Sequence, residues 1–468
     1  MADTNALLVS EEEESSDSHL VEPQSDHTVD SLVITSSSPT PTNFSFYRTY
    51  KRRWYVLLTY SFASFVQGYF YNMWGPIYDS MNQLFGWTHA QMAMLPLMGI
   101  VFLVPLSVPT AFLLERWGLR RIVLLVTVLC ALSAFIRCIP GGTVSTTILV
   151  NLSCAINAVA GVPGFFVPPF IASRWFPINE RRMATAIGTL LNAFGVSFAF
   201  LIGPAIIPEP DSGATDSIMR KRYFIYTYGE TAVAGFLCLA VFLYYPNHPP
   251  LPPSESAHRP RLEVMAAVRR IVVSRDFWCL CGVFALLNGT FAGWLPVLTV
   301  DLNSRNVDQI HASWIGFYSS LSGAVLGIAT CRLAGVSRHL KAIQIAMCVL
   351  AAQGSLWLLL VMRGYLSFSL NQTYLAAILL CSNAAAFVPI NFELAIEILY
   401  PIDEAVIVAF MSFVASSWAC IFLIIMLFPV GTAWMDWFMT GACLSALPLA
   451  LLIREKYKRV EVDIPDTE

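Results

Sequence analysis

The sequence predicts an all-α membrane protein: twelve transmembrane helices in two six-helix bundles, with both termini on the cytosolic side. Three observations carry that prediction. Only 13% of the 468 residues are charged while 56% are hydrophobic. Soluble domains carry about 25% charge, so this chain cannot clothe the water-facing surfaces its length would otherwise require. The apolar residues gather into twelve runs, near 54–79, 90–114, 121–139, 146–172, 184–207, 223–245, 277–301, 311–331, 341–362, 374–398, 405–429 and 432–453. Runs of that kind, at roughly 20 residues, match the thickness of a bilayer. With the N-terminus placed in the cytosol, 22 of the 28 Lys and Arg fall on the cytosolic side, as the positive-inside rule requires. A soluble enzyme, a nucleic-acid-binding protein and a disordered scaffold are all excluded.

At the start of the chain, residues 1–47 hold nine acids and no Lys or Arg. With no apolar core they form neither a signal peptide nor a folded unit, and read as a disordered cytosolic tail. Within it Asp3, Leu7 and Leu8 have the spacing of an acidic dileucine sorting signal, which clathrin adaptors would read and which points to endolysosomal membranes. Arg48, Lys51, Arg52 and Arg53 then anchor the first run. Residues 48–245 make the first bundle and 277–453 the second, joined by a Pro-rich cytosolic linker at 246–276 and continued by a cytosolic tail at 454–468. Six spans plus six around a central linker suggest an internally duplicated transporter. The eleven cysteines sit singly in apolar stretches and read as small buried hydrophobes. No metal or cofactor is expected. Of the glycosylation sequons, only the one at Asn371 falls on the lumenal side.

Between the second and third spans, Ala111, Glu115, Arg116, Gly118, Arg120 and Arg121 have the spacing of a known signature: a small residue, an acid, a base, a turn glycine, then bases. This loop resembles that of the major facilitator superfamily, where it latches one alternating-access state. The equivalent place in the second half keeps Gly327 and Arg332 but has Cys331 where the acid would stand. Further strings narrow the resemblance: Gln67-Gly68, Asn72-Met73-Trp74-Gly75-Pro76-Ile77, Trp175-Phe176, Phe291-Ala292-Gly293-Trp294, Trp314-Ile315-Gly316-Phe317 and Tyr400-Pro401. Over about 400 residues the chain resembles solute carrier family 49, which includes the feline leukaemia virus subgroup C receptor-related proteins. The resemblance implies a major facilitator fold and transport of small organic solutes rather than enzymatic chemistry. For the lysosomal branch it implies proton-driven export of pyridoxine; for the better-known relatives it implies choline, ethanolamine or haem.

Carriers of this fold bind near the midplane, between the halves. Gln67, Tyr71 and Trp74 succeed one another at i, i+4 and i+7, placing one amide and two aromatics on one helix face. Asn288, Phe291 and Trp294 do the same in the seventh span, and Asn157 and Asn192 add intramembrane amides. Aromatic faces stack on rings or attract cations, while amides donate and accept together. By resemblance Tyr71 replaces a Trp of the relatives and Ala292 an aromatic, whereas Asn192 matches an Asn. Among charged residues, Glu230 lies inside the sixth span, where a carboxyl can take a proton from an acidic lumen and release it to the cytosol. It is the coupling candidate, against a structural pairing with Arg220 or Arg222. Glu393 and Glu397, one turn apart, read as a gate brace. Arg137 is expected to pair with Asp79, and His89 and His311 to sit in non-cytosolic loops. The expected partners are a small-molecule substrate, protons and the lipid bilayer, the protein acting as a monomer without nucleic acid.

Overall fold

The computed structural model describes residues 32–33, 47–164, 166–210, 213–251, 264–336, 339–428 and 430–455. The sorting signal at Asp3, Leu7 and Leu8, most of the acidic tail, part of the linker and the last residues of the C-terminal tail lie outside the described residues. Leu32–Val33 pairs antiparallel with Tyr47–Arg48. From Arg52 onward the described chain is helical. Lipid offers no partner to a backbone N–H or C=O, so each crossing segment must close its own hydrogen bonds.

The first bundle runs through α1 (Arg52–Asn72), α2 (Tyr78–Phe85), α3 (His89–Trp117) and α4 (Leu119–Arg137). It continues with α5 (Thr143–Gly161), α6 (Val167–Trp175), α7 (Ile178–Ile206) and α8 (Asp216–Leu243). Within the expected linker stands an additional helix, α9 (Val264–Val273), which the proline-rich sequence did not suggest. The second bundle comprises α10 (Arg275–Phe284), α11 (Thr290–Trp294), α12 (Leu298–Asn303) and α13 (Gln309–Val336). It ends with α14 (Leu340–Arg363), α15 (Leu370–Leu399), α16 (Glu404–Ile425) and α17 (Ala433–Leu452). Among the described residues, 11 helical stretches are long and apolar enough to cross a membrane. The first expected span is occupied by α1, whose Tyr, Ser and Gln residues lower its mean hydropathy and leave it outside that set.

The first, fourth and seventh crossing segments are interrupted. α1 and α2 are separated by a 3-10 turn at Gly75–Ile77, and α5 and α6 by one at Val162–Gly164. α10 leads through a π-type turn at Ala285–Gly289 into α11, then through a 3-10 turn at Leu295–Val297 into α12. α15 carries Pro389 in its interior. Proline withholds a backbone donor, and such breaks persist at membrane depth only where protein surrounds them or a cavity lies beside them. The two bundles meet where α7 crosses α13 and α3 crosses α16.

Candidate substrate cavity

A cavity of about 1360 Å³, its open mouth included, lies between the bundles at the mid-height of the helices. Its wall is drawn from both halves, and it contains no Asp, Glu, Lys or Arg among the described residues. Gln67, Tyr71, Asn192, Asn288 and Phe291 stand on it. The interrupted helices are the main source of these side chains, because each break leaves small residues and loosened backbone beside open space.

The amides are held from behind. Asn192 Nδ2 donates to the Ser64 carbonyl at 2.7 Å and to Gln67 Oε1 at 3.2 Å. Gln67 Nε2 donates to the Asn157 carbonyl at 3.5 Å, and Asn157 Nδ2 returns a bond to the Gln67 carbonyl at 3.4 Å. Asn157 is therefore a helix-to-helix tie behind the wall rather than part of it. The Tyr71 hydroxyl donates to the Pro96 carbonyl at 3.4 Å, fixing the ring beside Gly99.

Neither tryptophan reaches the cavity. α1 ends at Asn72, so the 3.6-residue period that would align Trp74 with Tyr71 stops before Trp74 is reached. The indole instead packs edge-on against Trp87, 5.4 Å between centroids. In the seventh segment the π-type turn adds a residue to one turn and shifts the phase of the residues beyond it. Trp294 is fully buried, and its Nε1 donates to Asp301 Oδ2 at 2.8 Å. The two breaks are repeats of one another: Trp74-Gly75-Pro76-Ile77 and Trp294-Leu295-Pro296-Val297 have closely matching backbone turns. They also meet. A Cβ on Gly75 would lie 2.5 Å from the Pro296 carbonyl oxygen, and Thr299 Oγ1 donates to the Gly75 carbonyl at 2.8 Å.

Around this meeting point, at the end of the molecule away from the termini, the halves are laced together. Gln309 Oε1 accepts from the Asp79 backbone N–H at 2.9 Å, and Gln309 Nε2 donates to Ser80 Oγ at 3.2 Å. Ser313 Oγ donates to the Pro76 carbonyl at 3.3 Å, and the Ile310 N–H donates to Glu209 Oε1 at 2.7 Å. At the termini end the halves share the pairing of Arg174 with Asp403, 3.9 Å apart. Sequence reasoning missed Gln309, Thr299 and Asp403, since no local pattern marks a polar residue that bonds across a bundle interface.

Arg137 does not pair with Asp79, nor Glu230 with Arg220 or Arg222. Arg137 Nη1 lies 3.2 Å from Glu230 Oε2, both side chains buried. The guanidinium sits 4.3 Å from the Phe70 ring centroid and contacts Met73 Sδ. The second half has a counterpart. Arg363 closes the third long helix of its bundle's crossing set much as Arg137 closes α4, and donates through Nε to Asp436 Oδ2 at 2.8 Å. His89 packs beside Tyr78 and His311 lies near the Tyr374 hydroxyl, both at the end away from the termini. Asn371 is exposed in the first turn of α15.

Residues 61–423 match the model of the Major Facilitator Superfamily. The Solute carrier family 49 member 4 homolog of Xenopus tropicalis is 32% identical over 431 residues, covering 89% of this chain and 94% of the relative. The chain belongs to solute carrier family 49 of the major facilitator superfamily. It is accordingly a membrane transporter and not an enzyme. The Choline/ethanolamine transporter FLVCR2 of Homo sapiens is 24% identical over 82% of this chain and 73% of its own. In fold, the chain is similar to the E. coli fucose:proton symporter FucP, with a TM-score of 0.59 at 14% identity, covering 87% of this chain and 100% of that one. It is also similar to a bacterial homolog of the human lysosomal transporter Spinster, with a TM-score of 0.54 at 13% identity, over 86% of this chain and 95% of that one.

The facilitator signature loop has a physical basis in this solute carrier family 49 chain. Gly118 closes α3 and opens α4 with φ +81° and ψ 167°, a conformation that side chains resist. A Cβ there would also strike the Asn247 amide at 2.5 Å. Asn247 Oδ1 accepts from the Arg120 backbone N–H at 3.1 Å, and Arg120 Nη2 reaches the Phe242 carbonyl at 3.4 Å. The loop is thus sewn to the end of α8. Glu115 lies at the end of α3, with Arg116 and Arg121 exposed at the same corner. Glu393 and Glu397 are buried near the termini end of α15, close in sequence to buried Asp403 and Glu404.

Proposed function

We propose that this family member is a proton-coupled secondary transporter that exports a small, flat, uncharged organic solute from the lysosome lumen to the cytosol by alternating access, with pyridoxine the first candidate. The observation that carries this reading is the cavity wall: amides from Gln67, Asn192 and Asn288 beside the rings of Tyr71 and Phe291, with no charged side chain among the described residues. A hydroxylated aromatic ring fits that chemistry, since rings stack and hydroxyl groups exchange hydrogen bonds with amides. A choline or ethanolamine cation is the second reading. The Tyr71 and Phe291 faces favour it, as does the likeness to FLVCR2, but among the described residues the wall offers no carboxylate to balance a charge.

In this reading the units 48–245 and 277–453 rock about the cavity, joined by the linker at 246–276. Glu230 couples protons by releasing Arg137 when it is protonated. The signature loop and the Glu393–Glu397 pair brace the cytosolic gate. Asp3, Leu7 and Leu8 direct the monomer to lysosomes through clathrin adaptors, and a glycan on Asn371 faces the lumen. The test replaces Leu7→Ala and Leu8→Ala to bring the lumenal face to the cell surface. Labelled pyridoxine, choline and ethanolamine are then offered at an outside pH of roughly 5 and 7.5, a range that spans carboxyl titration. Pyridoxine uptake that is faster at the acidic pH is expected. Absence of uptake of every solute, with surface expression verified, rejects the substrate assignments. Uptake indifferent to pH rejects the coupling.

A further inference from the structure

No large hydrophobic side chain among the described residues is more exposed than Val273, at 79%. Yet Val273 does not belong to a crossing helix. It ends α9, the helix that stands in the linker between the bundles. On a helix, residues three and four apart share a side. Arg269, Val272 and Val273 therefore lie together, and all three are exposed. Arg270 borders Val273 by the same count and is exposed too. The next helix follows after a single residue: Ser274 caps α10 by accepting from the Phe277 N–H at 3.4 Å. α10 opens the seventh crossing segment. The linker belongs to the termini end, because the end of α8 is tied to the start of α1. There the Tyr55 hydroxyl donates to the Tyr244 carbonyl at 2.7 Å, and the Tyr245 hydroxyl to the Val56 carbonyl at 3.0 Å.

Two contacts fix α9 at the mouth of that segment. Ile271 is completely buried. Trp278, at the start of α10, is 44% exposed and donates through Nε1 to the Val272 carbonyl at 2.9 Å. That bond holds the indole against the end of α9, beside the two exposed valines. An indole with one such polar handle settles at the boundary between acyl chains and headgroups. Charge adds a second signal. From Val268 to Trp278 the chain has three bases, Arg269, Arg270 and Arg275, and one acid, half-buried Asp276. The three arginines are exposed, and none makes an ion pair among the described residues.

Apolar residues interleaved with bases on one side suit a helix lying in the membrane interface. Its apolar groups enter the acyl boundary, and its guanidinium groups meet phosphate. We propose that α9 lies on the bilayer at the termini end, where Arg269, Arg270 and Arg275 bind the phosphate headgroups of anionic phospholipid above Val272, Val273 and Trp278. Lipid covers these valines without any further partner, since α10 enters it within about one turn of them. The site is separate from the cargo cavity and from the Arg137–Glu230 pair. It holds the start of the seventh segment, whose π-type turn carries Asn288 to the cavity wall.

Two measurements on the full chain test this. In the first, a spin label on Val273→Cys is read in nanodiscs of phosphatidylcholine and phosphatidylserine. The described native cysteines are buried or half-buried, and wild type carried through the same labelling supplies the background. Oxygen dissolved in the acyl region should relax the label more than a water-soluble nickel reagent does. A label on exposed Asp308→Cys should show the reverse. A Val273 label open to nickel like the one at Asp308 overturns the placement of α9. In the second, protein in detergent is titrated with phosphatidylserine, phosphatidylcholine or inorganic phosphate, and bound molecules are counted by native mass spectrometry. Phosphatidylserine should bind most tightly. Its affinity should fall about fivefold for each of Arg269→Gln, Arg270→Gln and Arg275→Gln, the equivalent of about 1 kcal/mol per base. Equal binding of the two lipids, or a triple variant that binds phosphatidylserine like wild type, overturns the headgroup site. Inorganic phosphate bound as tightly as phosphatidylserine overturns the assignment to lipid.

Discussion

At the residue scale, burial rather than residue type separates cavity side chains from structural ones. Gln67, Tyr71, Asn288 and Phe291, singled out because helical spacing put polar and aromatic groups on one face, line the cavity together with Asn192, singled out as an intramembrane amide. Trp74 satisfied the same spacing but falls beyond the end of α1, where the period no longer holds, and Trp294 is drawn away from the cavity by its bond to Asp301. Of the wall's amides, Gln67 and Asn192 are tied to neighbouring helices, whereas Asn288 faces the cavity from the π-type turn without such a tie among the described residues. Asn288→Ala should therefore raise the KM for cargo about fivefold, the equivalent of one hydrogen bond of about 1 kcal/mol, with little change in melting temperature. Asn157→Ala should do the reverse, lowering stability through loss of its ties to Gln67 while leaving KM near its original value. Parallel uptake kinetics and thermal unfolding in detergent check both. For the buried pair, Glu230→Ala strands the Arg137 charge and should cost about 3–5 kcal/mol. The double variant Glu230→Ala/Arg137→Ala should recover part of that loss, which a double-mutant cycle on unfolding measures.

At the scale of elements, the breaks have a local cause in Pro and Gly inside apolar runs, but helical spacing was read straight through them, and the contact between the two turns left no mark in the sequence. Pro76 and Pro296 announce interruptions in the first and seventh segments, yet nothing local says that the two turns touch. Gly75 is the point of contact, and Ala there would push a methyl into the Pro296 carbonyl. Gly75→Ala should thus disfavour closure at the end away from the termini. The expected readout is a longer distance between spin labels placed at Gln83 and Asp308, on either side of that seam. Gly118→Ala tests a different element boundary. Forcing a side chain to φ +81° costs about 1–3 kcal/mol, added to the clash with Asn247. The variant should melt lower, and Asn247→Gly should relieve the steric share of that loss.

At the scale of the whole molecule, the two ends of the interface differ in kind. The end away from the termini is closed by hydrogen bonds that hold buried Gln309, Ser80 and Thr299. The termini end has the long, half-exposed Arg174–Asp403 pair, and exposed pairs contribute at most about 1 kcal/mol. Gln309→Ala should shift the conformational balance far more than Arg174→Ala, measured by the same kind of label distances across each end. Composition and run length were enough to establish a polytopic helical membrane protein, and the motif strings were enough to show the family it resembles. Those properties are legible because lipid exposure acts on every residue of a span, and helix-breaking residues act locally. Packing in three dimensions was needed to bring Arg137 to Glu230 and Arg363 to Asp436, and to reach from Gln309 back to Asp79 across 230 positions. Helical periodicity assigns a residue to a face of its own helix. The rotation of that face toward a neighbour is set by how all the helices pack at once.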